Sequence, residues 1–319
     1  MKTKYFGLVF LLTGICVCFQ FAFAGQHKMV DLADWSQNGM FKRNAGYSEL
    51  IKLNISMHKE AANLVAEEIT RWQCETGLMQ ISFLDLGSGT DTPVVSHHIF
   101  QALEEAKVSI DYTAIDINEK LGDVRAFDFP KNVVKQNIIV GDAYHLRDQA
   151  IADKQYSVLY AGLNLHHLGA REMVKVLQDY KKMLQAKGIF VIFDVVHPED
   201  EPYVAKPKDQ VMIDPQLLAH IPEPEFLVGA HITPDENWRN AFANTYGEYA
   251  ASRNVNAETI TETKSHILAN DYPFSLTELA KLLKANGFMV EEFPFAKLHP
   301  NVPVSKYFGV LIARHIEQR

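Results

Sequence analysis

Phe83-Leu84-Asp85-Leu86-Gly87-Ser88-Gly89-Thr90 joins an acid to two glycines one residue apart, directly after the apolar run Ile81 to Leu84. Without a Cβ at Gly87 and Gly89, the backbone can turn tightly and come within contact distance of a ligand. Asp85 can accept hydrogen bonds from the loop amides or from a cationic ligand group; in a bare turn it would cap the loop instead. A strand, such a loop and then a helix make a crevice for a nucleotide-type cofactor. The third glycine of the dinucleotide fingerprint is missing from Gly87-Ser88-Gly89-Thr90-Asp91-Thr92. A Gly-x-Gly pair also serves as plain punctuation after a strand.

Three further loops carry polar groups of the right kind. Ala114-Ile115-Asp116-Ile117-Asn118 offers a carboxylate 27 residues beyond Gly89. It can take both hydroxyls of a ribose, or it can cap a helix. In Val140-Gly141-Asp142-Ala143 an acid beside small residues can accept from an adenine amino group, or simply close a turn. Ala161-Gly162-Leu163-Asn164-Leu165-His166-His167-Leu168 supplies an amide and two imidazoles. An imidazole titrates near working pH, so His166 or His167 is a candidate general base. Orienting the loop or packing against a cofactor is the other use of the pair. Neighbouring residues point in different directions on a helix or a strand, so no metal is expected there.

The elements that must position these loops alternate. Apolar runs at Val108 to Ile117, Val133 to Val140, Tyr156 to Tyr160 and Ile189 to Val196 read as strands, the last a continuous buried type. Met173, Val176, Leu177, Tyr180, Met183 and Leu184 fall at helical spacing, with Gly188 as the expected stop. Such alternation implies a parallel sheet with helices on both faces. Ahead of it, residues 25–80 read as mainly helical, with Ala61, Leu64, Val65 and Ile69 on one face. Residues 197–272 hold seven of the 13 prolines and read as a folded lid or subdomain rather than a bare connection. Thr233-Pro234-Asp235-Glu236 combines a capping box with Pro at the first helical position, and Trp238, Ala241, Phe242, Tyr246 and Tyr249 follow as one aromatic face. Core packing explains such a face, and lining a substrate pocket is the sharper alternative. Ser275-Leu276-Thr277-Glu278 opens a helix that Gly287 closes. Phe288 to Phe295 and Lys306 to Ala313 then read as two strands pairing antiparallel.

Length, charge and cysteine use bound the rest. The 319 residues, 47% apolar, suffice for one large domain or for one domain with a sizeable insertion. A net charge of −8 with no Lys/Arg-rich tract argues against a nucleic-acid partner. Lys2 and Lys4 precede an uncharged run from Tyr5 to Gln26 that closes on Ala22-Phe23-Ala24-Gly25, the pattern of a secretory signal peptide cleaved after Ala24. The run is also long enough for an uncleaved anchor, in which case the leader is the membrane contact. Translation from Met29 or Met40 would instead leave a cytoplasmic protein. With the leader removed, only Cys74 remains of the three cysteines, so no internal disulfide forms.

Taken in order, the four loops resemble the class I S-adenosylmethionine-dependent methyltransferases, over residues 80–196 by motif and 288–313 by topology. Asp85-Leu86-Gly87-Ser88-Gly89 is similar to the family's first motif, Asp116 to its ribose acid and Gly141-Asp142-Ala143 to its adenine-side motif. Asn164-Leu165-His166-His167-Leu168 resembles the segment after the fourth strand of small-molecule members. The resemblance implies an α/β fold: a seven-stranded, mostly parallel Rossmann-like sheet with an antiparallel last strand, helices on both faces, and a lid insertion after strand 5. It divides the chain into a leader (1–24), an N-terminal helical region (25–80), a cofactor-binding core (81–196), the lid (197–272) and a C-terminal helix with strand pair (273–319). It further implies S-adenosyl-L-methionine held by Asp85, Gly87, Ser88, Gly89, Asp116, Ile117, Asp142, Ala143 and Asn164, with His166 and His167 catalytic. Tyr47, Trp238 and Tyr246 are the implied acceptor-pocket residues. The expected activity is in-line methyl transfer to a small organic acceptor. A secreted non-catalytic module of the same fold and a protein methyltransferase are the alternatives; Asp85, Asp116 and Asp142 occurring together disfavour the former. A secreted enzyme would have to meet a cytosolic cofactor outside the cytosol.

Overall fold

The computed structural model describes residues 45–89, 93–116, 129–146, 151, 153–168, 170–198, 237–271 and 273–315. The leader, Ile117 and the capping box at Thr233 to Glu236 lie outside them.

Two helices come first, α1 (Ala45–Lys52) and α2 (His58–Thr76). On α2 the face carrying Ala61, Val65 and Ile69 is buried, as its spacing predicts, and Gly77 ends the helix with φ 68°. Then follow β1 (Gln80–Leu86), α3 (Pro93–Glu105), β2 (Ser109–Asp116), β3 (Val133–Val140), β4 (Tyr156–Gly162), α4 (Ala170–Met183) and β5 (Leu184–Val195). Of the insertion after β5, α5 (Asn237–Ser252) and α6 (Ala257–Asn270) are described. The chain returns through α7 (Leu276–Ala285), β6 (Phe288–Pro294), the short α8 (Phe295–Leu298) and β7 (Phe308–His315).

The strands form one seven-stranded sheet in the order β3-β2-β1-β4-β5-β7-β6. β1 to β5 are parallel, and β7 runs antiparallel to both β5 and β6. This is the predicted architecture, including the antiparallel terminal pair. Strand order reverses between β1 and β4, which opens a crevice at the carboxyl edge of the sheet.

Period-two alternation divides the central strands between two cores. Phe83, Tyr112, Val158, Tyr160, Val191 and Phe193 face α2, α3 and α5. Leu84, Leu86, Leu159, Ala161, Phe190 and Ile192 face α4 and α7. Both faces are covered, so these strands read as unbroken apolar runs rather than alternating ones.

Gly188 corrects one expectation. Helix α4 ends at Met183 and β5 begins at Leu184, so Gly188 is buried within the strand and stops nothing. The register shows why: Tyr156 pairs with Leu184 but Val158 pairs with Ile189, so extra residues bulge from β5. A Cβ at Gly188 would stand 2.6 Å from the Leu184 side chain. Gly287 does close its helix, with φ 83°, and the Ser275–Glu278 capping box forms in full.

Candidate functional site

At the carboxyl end of β1 the chain turns on two left-handed glycines, Gly87 (φ 67°) and Gly89 (φ 59°). The amides of Gly87 and Ser88 donate to the Ile115 carbonyl, at 2.9 and 3.1 Å, which folds the loop back onto β2. Asp116, the last residue of β2, then accepts from the Gly89 amide at 2.7 Å through Oδ2. The ribose acid and the glycine loop implied by the resemblance are therefore one clasp.

Asn164 closes the other side. Its Nδ2 donates to the Leu86 carbonyl at 2.5 Å, and a Cβ on Gly87 would collide with that amide. Leu163 before it takes φ 52°, uncommon for a residue with a Cβ, while its amide donates to Phe193. Ser88 Oγ and Asn164 Oδ1 are buried yet hydrogen-bond to nothing among the described residues. Buried polar atoms are nearly always satisfied, so these two oxygens on facing loops are candidate ligand contacts. Such a cradle suits a cofactor with several hydrogen-bonding groups.

Two predicted cofactor acids are engaged by neighbouring side chains of the protein. Asp85 is buried, and its Oδ2 accepts from Ser96 Oγ at 2.7 Å and from Tyr112 OH at 3.0 Å. Burial pushes its carboxyl up to about 7, with Asp116 adding to the rise and the two hydroxyls opposing it. Asp142 caps the Tyr144 amide at 2.8 Å and accepts from His145 Nδ1 at 2.6 Å. Tyr144 OH crosses to the Asn164 carbonyl at 2.6 Å, and Tyr180 OH donates to the carbonyl of Ala143. The third and fourth loops are thereby fixed to one another.

Past Asn164 a single 3-10 turn, Leu165–His167, carries the two histidines. Their rings sit side by side, centroids 3.9 Å apart, although adjacent positions were expected to diverge. His166 is buried, and its Nδ1 donates to Asp194 Oδ1 at 2.5 Å. Asp194 also accepts from the Leu165 and His166 amides at 2.8 and 3.1 Å. The other ring nitrogen of His166 faces Asp271 Oδ1 at 3.6 Å. Burial works against a charged His166 ring, but Asp194 and Asp271 outweigh it and the pKa is raised. Burial likewise lifts Asp271, to about 6, with Asp194 adding and His166 and Arg239 opposing. His266 stands at 3.6 Å from the same Asp271 oxygen and His167 at 4.0 Å. His166 thus has both ring nitrogens turned to carboxylates, so proton chemistry here belongs to a cluster and not to one open ring.

Sequence reasoning missed Asp194, His266 and Asp271. Asp194 had a signal, being a lone acid inside an otherwise apolar strand. The other two had none, since they lie about a hundred residues from the histidines they meet. Of the predicted acceptor residues, Tyr246 is buried with its OH 2.7 Å from Ser56 Oγ, and Trp238 is buried edge-on to His197. Phe242 between them stacks near Tyr307, so this face of α5 packs as core. Trp238 keeps a buried indole N–H with no acceptor among the described residues. Tyr47 lies on α1.

No protein-family model and no curated protein matches the sequence. Among solved structures, the chain is similar to an O-methyltransferase family protein from Burkholderia thailandensis, with a TM-score of 0.50 and 10% identity. That alignment covers 90% of this chain and 63% of the other, so the chain spans under two thirds of that protein. It is also similar to the plantazolicin methyltransferase BpumL in complex with SAH, with a TM-score of 0.48 and 13% identity over 90% of this chain and 95% of that one.

Proposed function

We propose that this chain, whose fold is that of the class I S-adenosylmethionine-dependent methyltransferases, transfers a methyl group from S-adenosyl-L-methionine to a small organic acceptor. The observation that carries the reading is the clasp at the β1/β4 switch point. There the Gly89 amide is tied to Asp116, and the buried Ser88 and Asn164 oxygens have no hydrogen-bond partner among the described residues. The cofactor, when bound, supplies an electrophilic methyl on a sulfonium.

The chain's own residues do the rest by holding and excluding. Gly87, Ser88 and Gly89 bring backbone close to the ligand, and Asp116 offers a carboxylate for the ribose hydroxyls. Asp142 and Ala143 line the adenine side, and Asn164 closes the crevice from β4. Asp85 acts from beneath, tying the loop's base to α3 and β2 through Ser96 and Tyr112. Holding acceptor and donor in line can remove roughly 7–11 kcal/mol of barrier. His166 and His167, the candidate base for the acceptor's proton, follow Asn164 in the same loop and meet His266 and Asp271 of the insertion. The acidic overall balance, and Gly162-Leu163-Asn164-Leu165 standing where amino-methylating enzymes carry Asn/Asp-Pro-Pro-Tyr, favour a small acceptor over nucleic acid.

Calorimetric titration with S-adenosylhomocysteine tests the cofactor site, and a cofactor-dependent methylation screen of small-molecule pools tests transfer. We expect saturable binding that Asp116→Ala weakens at least about tenfold, since hydrogen bonds to charged groups contribute ~1.5–3 kcal/mol. Absence of binding to the folded protein would end the reading. The leader carries a separate proposal, export with cleavage after Ala24, which the mass of the mature N-terminus checks.

A further inference from the structure

Four donor atoms converge where the 3-10 turn after β4 meets the end of α6. His166, His167, His266 and Asp271 each offer one, and all four lie within 4.8 Å of one another. Asp271 Oδ1 is the hub, with His166 Nε2 and His266 Nε2 each at 3.6 Å and His167 Nδ1 at 4.0 Å. The Asp271 side chain is 3% exposed, and this oxygen accepts no hydrogen bond among the described residues. A buried acceptor left in that state is destabilising. A cation at the centre of the four donors serves them all.

We infer that His166, His167, His266 and Asp271 form a site for a divalent transition metal of the zinc type, built jointly by the core and the insertion. Three imidazoles and one carboxylate match the ligand set and number that zinc takes, at about 2.0–2.2 Å. Tetrahedral bonds of that length put donors about 3.3–3.6 Å apart; the separations from Asp271 are 3.6 to 4.0 Å and all four donors lie within 4.8 Å of one another, so binding draws the rings inward by up to about 1 Å. Magnesium and calcium prefer oxygen ligands and fit poorly.

The surroundings support the assignment independently. Metal-bound imidazoles characteristically donate their other N–H to a carboxylate, which fixes the tautomer and aims the ring. His166 does this through Nδ1 to Asp194, itself held by the Leu165 and His166 amides. With Nδ1 protonated, the Nε2 lone pair faces the cluster. Convergence of the adjacent rings of His166 and His167 on one point also removes the geometric objection that their sequence positions raise. Binding of the metal stands on this geometry alone. With all four positions filled by protein, the site is of the closed, structural kind and ties the insertion to the turn after β4.

The test uses untagged protein, stripped with a chelator and titrated with zinc against a chromophoric competitor, and with cobalt(II) read by its visible absorption. One equivalent per chain is expected, with the intense band of four-coordinate cobalt. His266→Gln, at a half-exposed ring, should weaken zinc at least as much as losing an outer partner does, about 10–100-fold, and leave the metal-free melting temperature unchanged. Asp271→Asn should act in the same direction; should it fail to fold, His167→Gln takes its place. The proposal is overturned if stripped protein takes up no stoichiometric zinc, or if His266→Gln and His167→Gln bind zinc as the parent does. Titration of the same samples with S-adenosylhomocysteine keeps the two readings apart. Intact binding without zinc uptake removes the metal alone, and zinc uptake without such binding removes the methyl donor alone.

Discussion

Gly87 shows how much a single position can be asked to do. It takes φ 67°, and the space where a Cβ would stand is filled by the Asn164 amide that donates to Leu86. Gly87→Ala therefore combines left-handed strain, about 1–2 kcal/mol, with loss of a buried hydrogen bond, about 1 kcal/mol. Gly77 supplies the control, because its φ is 68° but no atom lies within 4 Å of its missing Cβ. Urea unfolding should place Gly87→Ala about 1 kcal/mol below Gly77→Ala, and only Gly87→Ala should weaken S-adenosylhomocysteine binding. Equal stabilities with unchanged binding would show that the glycine is punctuation after a strand. Residues of this kind were legible because the motif is local: acid, glycine and small polar residue follow one another within one turn. His266 and Asp271 were not, because an imidazole or a carboxylate that completes a buried cluster looks in sequence like any other, and Asp194 stood out only as a lone acid in an apolar strand. Their meaning comes from β4, β5 and α6 meeting in space.

Among the elements, most of the α/β alternation was readable because strands buried on both faces and helices with one apolar stripe leave different periods. The boundary between α4 and β5 was misread for a physical reason. Gly188 looks like a helix stop, yet it serves a bulge that lets Tyr156 and Val158 pair with Leu184 and Ile189. A bulge depends on the register with a neighbouring strand, which one segment's sequence does not record. The aromatic face of α5 was readable as apolar, but only packing against Tyr307 and Phe308 assigns it to the core. The start of α7 is the clearest success. Ser275 Oγ accepts from the Glu278 amide at 3.2 Å, and the Glu278 carboxylate reaches back to the Ser275 amide at 3.4 Å. This cap lies four residues beyond Asp271, and the preceding Phe274 carbonyl accepts from the His197 amide at 2.9 Å. Ser275→Ala should cost about 1 kcal/mol in urea unfolding, and Glu278→Ala less, since its own bond is the longer. A loss at Glu278 exceeding that at Ser275 would contradict the capping account.

At the scale of the whole molecule, covering the sheet on both faces removes some titratable side chains from water, so their protonation becomes coupled to folding. Asp85, at the end of β1, and His58, at the start of α2 and edge-on to Phe193, illustrate the two signs. Burial raises Asp85 from 3.8 to about 7, so the folded state keeps a proton that the unfolded state has lost. Its stabilising contribution is fully present below pH 3.8 and is lost as pH rises through about 7. Burial lowers His58 from 6.5 to about 4, so here the unfolded state holds the extra proton. That contribution is present above pH 6.5 and is lost as pH falls through about 4. The two slopes oppose each other across the shared window, each amounting to a few kcal/mol at ~1.4 kcal/mol per pH unit. Removing either group should expose the other. Asp85→Asn, which can still accept from Ser96 and Tyr112, should gain stability relative to the parent as pH rises from about 4.5 to about 7.5. His58→Gln should gain relative to the parent in the opposite direction, as pH falls over the same range. Urea unfolding at four pH values reads both difference curves; were either variant to run parallel to the parent, that group would not be titrating with the fold.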